Sequence, residues 1–174
     1  MGLGKQLAAM GMIRLAVTTV RSLNRRFAKG PLLKVEDRLW QGWYDAVLRL
    51  SRHMAGEFEF QNYGFQKTQE NLAIAEDGQE ACCAQLYDNL VSGSEFTSLE
   101  GKHVLDVGCG KGGGCAYIGR VFRPETMTGL DISGEAIDFC RNRYGQNHNL
   151  QFVSGTCTDL PFAEKAFDVV TNVE

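Results

Sequence analysis

The segment at residues 104–114, in which a short apolar stretch is followed by a run of glycines, is the segment best suited to bind a ligand. It places three glycines at alternate positions after a carboxylate: Asp106, Gly108, Cys109, Gly110 and Gly112. Bare backbone in such a turn can approach a ligand closely. Gly108, Gly110 and Gly113 also satisfy the dinucleotide-binding spacing, and Asp131 lies near the offset of about 20 residues expected for a ribose-binding carboxylate. The glycine spacing alone does not decide which ligand is held.

Asp106 favours one of the two ligand classes. It places a carboxylate at the end of the first predicted strand, where a dinucleotide enzyme would hold a pyrophosphate. Two poorly solvated anions at that point would repel each other by several kcal/mol. S-adenosylmethionine carries an ammonium and a sulfonium and has no phosphate, so an acidic residue suits it. An NAD(P)-dependent oxidoreductase is the alternative that uses the overlapping glycine pattern.

This turn and the segments after it resemble the seven-stranded S-adenosylmethionine-dependent methyltransferases, whose first motif is acidic-x-Gly-x-Gly-x-Gly. The second family motif is an acidic residue that ends the second strand, and Gly129–Ser133 fits it. The resemblance implies that Asp131 binds the ribose hydroxyls and that Ile132 lies against the adenine. Two later family landmarks follow in order, a Leu-Pro-Phe at 160–162 and a Phe-Asp-Val-Val at 167–170.

One family position departs from the pattern. Relatives with this Leu-Pro-Phe usually carry Gly-Asp-Ala after the third strand, whereas this chain has Gly155, Thr156 and Cys157. Thr156 can still accept one hydrogen bond. Thr156 and Cys157 are therefore predicted to line the adenine site, with weaker support than Asp131. Asp159 is a displaced substitute, and a solvated turn residue is an equally good interpretation of it.

Methyl transfer to a neutral hydroxyl needs a group that takes up its proton. Glu174 and Asn172 follow the fourth predicted strand, at the edge where open parallel sheets bind ligands. Glu174 is our predicted catalytic residue on position alone, and a strand-end polar role is the competing interpretation. Tyr63 is predicted to belong to a lid over the cofactor or acceptor, or else to pack. The histidines are interpreted as structural or solvated: His53, His103 and His148.

A closer resemblance, over about residues 36–174, is to the methyltransferases that O-methylate phthiotriol dimycocerosates, which are very hydrophobic polyketide lipids. It rests on four short segments: 40–44, 62–65, 112–114 and 172–174. It implies a hydrophobic small-molecule acceptor of lipid or polyketide type and O-methylation. Ubiquinone- and sterol-type relatives methylate carbon, so C-methylation is an alternative. A non-catalytic S-adenosylmethionine-binding module is another.

The elements that must position these residues form an α/β pattern. From residue 100 onward, short apolar runs alternate with helices, which predicts a Rossmann-like, doubly wound and mostly parallel sheet. Strands are predicted at 103–107, 126–131, 150–153 and 167–173, and helices at 113–122 and 133–144. Two further helices are predicted ahead of the sheet, at 35–51 and 80–91, with an irregular stretch at 56–79.

Three segments are predicted along the chain: a basic amphipathic leader helix at 1–34, a helical cap or lid at 35–99, and the first half of a methyltransferase domain at 100–174. The sheet of the family has seven strands, and this sequence supplies four. We therefore expect the chain to be a fragment of a longer enzyme, truncated after the fourth strand.

Charge is distributed unevenly. Residues 1–34 hold seven basic side chains and no acidic one, and the remaining 11 basic and 21 acidic side chains give residues 35–174 a net charge of −10. The acidic body disfavours nucleic-acid binding. The leader, predicted as a helix at 3–27, is compatible with a membrane surface, an organelle-targeting signal or docking on its own domain. The six cysteines lack metal-ligand spacing, so we expect reduced thiols, no metal, and an intracellular protein that is cytoplasmic or peripherally membrane-bound.

Overall fold

The computed structural model describes residues 31–51, 59, 61, 62, 64, 79–94, 96 and 98–173. Several predictions lie outside the described residues: the leader helix at 3–27, most of the irregular stretch at 56–79, His53, Tyr63 and Glu174. The division into leader, cap and domain stays a prediction. In the described part of the chain, no helix combines the length and apolar character needed to cross a bilayer.

Two helices precede the sheet. Helix α1 spans Pro31–Ser51 and begins four residues before the predicted start, because proline suits a first helical turn whose N–H groups lack intrahelical partners. Helix α2 spans Gln79–Ser92, close to its prediction. The N–H of Gly93 donates to the carbonyl of Asn89 at 2.9 Å and closes the last turn of α2.

The sheet contains four parallel strands in the order β3-β2-β1-β4. The strands are β1 (His103–Val107), β2 (Thr126–Asp131), β3 (Leu150–Ser154) and β4 (Val169–Thr171). The crossover helices are α3 (Gly113–Val121) and α4 (Gly134–Tyr144). The predicted α/β class is therefore confirmed, and the predicted bounds of β1 and β2 are confirmed to the residue.

Strand β4 is shorter than the predicted 167–173. Beyond Thr171, it is the side-chain amide of Asn172 that donates to the Val107 carbonyl, at 2.6 Å. At the other end, the carboxylate of Asp168 accepts the backbone N–H of His103 at 2.8 Å. A side chain therefore continues the pairing beyond Thr171, whereas at Asp168 the side-chain bond adds to a backbone bond from the Asp168 N–H to the His103 carbonyl at 2.8 Å.

The core lies between the sheet and helices α2, α3 and α4. Its fully buried apolar side chains come from the sheet, the helices and the segment before β1: Ala84, Leu99, Val104, Ile118, Met127 and Ile137. Because all four strands are parallel, their carboxyl ends meet at one edge. Asp131 at the end of β2 pairs in register with Ser154 at the end of β3. That edge carries the candidate site.

Candidate functional site

The glycine turn between β1 and α3 folds back onto the end of β2. The N–H groups of Gly108 and Cys109 both donate to the Leu130 carbonyl, at 2.7 and 3.0 Å. Gly108, Gly110 and Gly112 have φ angles of +79°, +54° and +80°, which side chains other than glycine rarely adopt. The alternating glycines of the sequence are therefore required by the backbone of this turn.

Gly112 is also required for packing. A Cβ atom there would lie 2.9 Å from the Cys140 sulfur and 2.9 Å from the Phe152 ring. The turn therefore rests directly on α4 and β3, and Gly112 leads into the first turn of α3. Only a residue without a side chain brings the turn this close to the sheet.

Asp131 joins the glycine turn to the loop after β2. Its carboxylate accepts the backbone N–H of Gly110 at 2.9 Å and that of Ser133 at 2.8 Å. The residue is buried, and this burial raises the pKa of the Asp131 carboxyl, while the bond from Ser133 opposes the rise. Asp131 thus lies beside Gly110 at the carboxyl edge, the position from which it is predicted to reach the ribose.

Asp106 is 0% exposed and is held by side chains from three elements. Its carboxylate accepts from the Thr171 hydroxyl at 2.9 Å, the Tyr87 hydroxyl at 3.4 Å and the Cys115 thiol at 3.6 Å. Burial raises its pKa to about 7, although the bond from Thr171 lowers it. These neighbours would therefore separate the Asp106 carboxylate from a ligand. The cofactor-binding role predicted for Asp106 stays a prediction.

Three buried thiols lie beneath the turn. Cys109 is in hydrogen-bond contact with Cys115 and Cys140, and these contacts lower the pKa of the Cys109 thiol. The Cys140 thiol donates to the Gly110 carbonyl at 3.3 Å. All three are free cysteines. Cys109, predicted to touch the cofactor, thus has its side chain directed into this thiol cluster.

The other predicted cofactor residues lie along the same edge. Ile132 follows Asp131 and is half-buried. The N–H of Gly155 donates to the Asp131 carbonyl at 2.9 Å, which places the segment after β3 next to β2. There the hydroxyls of Thr156 and Thr158 are 2.9 Å apart, and Cys157 is exposed. The adenine contacts predicted for these residues stay predictions.

Of the candidates for catalysis, Asn172 is the one that the structure describes. It is exposed at the carboxyl edge, and its side-chain amide donates to the Val107 carbonyl beside Gly108. This bond ties the end of β4 to the glycine turn, and a catalytic role for Asn172 stays a prediction. Glu174 and Tyr63 lie outside the described residues, and their catalytic roles stay predictions.

A short segment ahead of the sheet covers the turn, and we call residues 59, 61, 62 and 64 the strap. The Gly113 N–H, at the start of α3, donates to the Glu59 carbonyl at 3.2 Å. The Gln61 carboxamide lies against Gly110, and its oxygen accepts from the Tyr44 hydroxyl of α1 at 2.8 Å. The sequence analysis missed Glu59, Gln61 and Tyr44, because no periodicity or motif marks a contact between segments so far apart.

Residues 104–174 match the family model described as a methyltransferase domain. The matched residues begin within β1 and include the glycine turn, Asp131 and β4.

Two curated relatives extend the similarity ahead of the methyltransferase domain. The chain is 44% identical over 120 residues to a fatty-acid O-methyltransferase of Mycolicibacterium smegmatis, an alignment covering 66% of this chain and 41% of that protein. It is 36% identical over 143 residues to a probable phthiotriol/phenolphthiotriol dimycocerosates methyltransferase of Mycobacterium ulcerans, covering 81% and 53%. The chain thus spans about half the length of the curated relatives it matches.

Solved structures agree on the fold. The cyclase SpnF superposes with a TM-score of 0.62 at 23% identity, over 77% of this chain and 47% of that one. Geranyl diphosphate C-methyltransferase of Streptomyces coelicolor superposes with a TM-score of 0.53 at 19% identity, over 72% and 48%. At these identities the likeness shows the fold, and function must be argued from the site.

Proposed function

We propose that the protein is an S-adenosylmethionine-dependent methyltransferase that methylates an oxygen of a hydrophobic, lipid-like molecule. The methyl donor is supported by the glycine turn and Asp131, which fit the first two family motifs. The acceptor class is supported by the two relatives, named for a fatty acid and for phthiotriol dimycocerosates, at 44% and 36% identity.

The choice of cofactor rests on one observation: the acceptors of the N–H groups in the glycine turn. A dinucleotide site uses N–H groups at a helix N-terminus to bind the pyrophosphate. Here the Gly113 N–H donates to Glu59, and the Gly110 N–H donates to the Asp131 carboxylate. With Asp106 and Asp131 both buried beside it, the turn suits a cationic ligand without phosphate.

The residues present therefore fit S-adenosylmethionine. Asp131 would hold the ribose, Ile132 and the segment after β3 would line the adenine, and the glycine turn would lie along the remainder. When bound, the cofactor would supply a methyl group on a sulfonium sulfur. An acceptor oxygen can attack that methyl carbon, and the sulfur then leaves as a neutral thioether without further activation.

The protein itself has to align the acceptor oxygen with the methyl group and to exclude water from the site. Asn172 holds the end of β4 against the turn, which keeps the carboxyl edge in register with β1. The strap lies against the turn through Gln61, which in turn accepts a hydrogen bond from Tyr44 of α1. Glu174 is our proposed base for a hydroxyl acceptor, and Tyr63 our proposed lid residue.

The cofactor is tested by calorimetric titration of S-adenosylhomocysteine and, separately, of NADH. We expect the first to bind and the second not to bind. Asp131→Asn removes the charge while keeping the shape, and we expect affinity for S-adenosylhomocysteine to fall at least tenfold. Glu125→Gln, at an exposed position just before the opposite end of β2, is the charge-removing control and should bind like the unmodified protein. Binding of NADH alone would overturn the proposal.

The acceptor is tested by transfer of a radiolabelled methyl group to long-chain fatty acids and long-chain alcohols. Methyl esters release the label in alkali, whereas methyl ethers and C-methyl products retain it, and mass spectrometry distinguishes those two. Label on oxygen supports the proposal. Label on carbon would favour the C-methyltransferase alternative.

We also propose that the basic leader brings the protein to an anionic membrane, where a lipid acceptor would reside. Each basic side chain near such a surface contributes about 1 kcal/mol. Replacing Arg14, Arg21 and Arg25 with glutamine should therefore weaken binding to phosphatidylglycerol vesicles by about 100-fold. Phosphatidylcholine vesicles are the neutral control in a co-sedimentation assay. Equal binding to both vesicle types would contradict an electrostatic role for the leader.

A further inference from the structure

We propose that Gln61 is a further cofactor-binding residue, held in place by Tyr44, and that its carboxamide shares the ribose of the methyl donor with Asp131. This inference rests on the proposed function and extends it to residues ahead of the methyltransferase domain. It follows from three observations: the position of Gln61 over Gly110, the anchoring of the strap on both sides of Gln61, and the contacts that helix α1 makes with Gln61 and Ser133.

Gln61 lies directly over the centre of the glycine turn. A Cβ atom added to Gly110 would be 3.3 Å from the Gln61 side-chain carbon Cδ and closer still to its oxygen. Gly110 is the residue whose N–H is bound by Asp131. The carboxamide and the Asp131 carboxylate therefore flank the same glycine.

The strap is anchored on both sides of Gln61. Before it, the Glu59 N–H donates to the Glu80 carboxylate at 2.8 Å, and the Glu59 carboxylate accepts from Arg143 at 2.7 Å. After it, the Asn62 side-chain amide donates to the Cys83 carbonyl at 3.2 Å. A side chain between two such anchors is pre-positioned, which lowers the entropy lost on binding a ligand.

Helix α1 supplies the remaining support. The Tyr44 hydroxyl donates to the Gln61 oxygen at 2.8 Å and orients the carboxamide, whose N–H groups can then donate to a ligand hydroxyl. The next residue, Asp45, accepts from the hydroxyl of Ser133, two residues beyond Asp131. Helix α1 therefore covers the end of β2, which is where the ribose is expected.

The test measures affinity for two ligands by calorimetry: S-adenosylhomocysteine and methylthioadenosine, which keeps the ribose but lacks the amino acid. We expect Gln61→Ala to weaken both about tenfold. Tyr44→Phe should weaken both by a smaller factor, and the double variant should be no weaker than Gln61→Ala, because Tyr44 acts through Gln61. In steady-state kinetics, both single variants should raise the KM for the methyl donor and leave the KM for the acceptor unchanged.

Gln146→Ala removes an exposed glutamine from the turn after α4 and is the matched control, with no change expected. Unchanged melting temperatures for Gln61→Ala and Tyr44→Phe exclude unfolding as the cause. If the unmodified protein binds and Gln61→Ala binds equally well, this inference is overturned while the proposed function stands. A loss confined to S-adenosylhomocysteine overturns the ribose assignment. Failure of the unmodified protein to bind either ligand overturns the proposed function and this inference with it.

Discussion

At the scale of single residues, Asp106 shows how the core constrains the site. A carboxylate removed from water is destabilised unless donors compensate. Thr171, Tyr87 and Cys115 supply three donors, yet the pKa of Asp106 remains raised to about 7. The three donors therefore offset only part of the desolvation of this carboxylate.

This raised pKa predicts a decline of stability with pH. Between an unfolded-state pKa of about 3.9 and the folded value, the folded protein binds more protons than the unfolded chain. The free energy of unfolding should therefore fall as the pH rises from about 4 to about 7, by a few kcal/mol in total. Asp106→Asn, which mimics the protonated form, should flatten this decline in thermal melts recorded across that range.

Thr171→Val provides the companion measurement. It keeps the shape but removes the donor that lowers the pKa of Asp106. The decline should then extend to higher pH than in the unmodified protein. Parallel pH profiles for Asp106→Asn and the unmodified protein would show that another group controls the dependence.

At the scale of elements, the approach of α2 to α3 depends on one glycine. A Cβ atom on Gly114 would collide with the ring of Tyr87, whose hydroxyl donates to Asp106. Tyr117 of α3 also donates to Asp88 of α2, at 3.0 Å. The two helices are therefore held at a separation that only a residue without a side chain permits.

Gly114→Ala is accordingly expected to destabilise the protein by about 1–3 kcal/mol, the usual range for overpacking. Gly42→Ala is the matched control, because Gly42 also lies inside a helix but has no atom within 4 Å of the added Cβ. There the better helix propensity of alanine should stabilise the fold by up to about 1 kcal/mol. Chemical denaturation of the two variants measures both effects, and equal changes would contradict the packing argument.

At the scale of the whole molecule, Glu59 joins the strap to α3 and α4. Its carboxylate accepts from Arg143 and from the Tyr144 hydroxyl, at 2.7 and 2.8 Å, while its carbonyl accepts the Gly113 N–H. A second link, Arg49 with Glu135 at 2.9 Å, has the arginine side chain 67% exposed. The Arg143 side chain is also 54% exposed, so it is the additional bonds of Glu59 with Tyr144 and Gly113 that make the first link the stronger of the two.

Glu59→Gln should loosen the strap and speed hydrogen exchange at the Gly113 amide several-fold, with a loss of about 1 kcal/mol of stability. Arg49→Gln should change stability by less than about 0.5 kcal/mol, since exposed ion pairs contribute little. Exchange followed by mass spectrometry, with denaturation in parallel, tests both variants. A larger effect from Arg49→Gln would mean that α1, rather than the strap, controls docking.

The sequence by itself determined the sheet and the glycine turn, because both follow from local patterns. Short apolar runs predict strands β1 and β2. Gly108, Gly110 and Gly112 predict a tight turn, and all three adopt positive φ angles in it. The strand order β3-β2-β1-β4 agrees with the right-handed crossovers expected between parallel strands. These features depend on neighbours in the chain, so a linear pattern records them.

Only the tertiary structure decided the burial of Asp106 and the placing of Tyr44, Glu59 and Gln61. Tyr144 and Glu59 are 85 residues apart in the chain, yet their side chains share a hydrogen bond. The sequence places the Asp106 carboxylate at the end of a strand, whereas the structure buries it among donors from α2, α3 and β4. Such contacts depend on how separate segments pack together, and that packing leaves no period or motif in the sequence of any one of them.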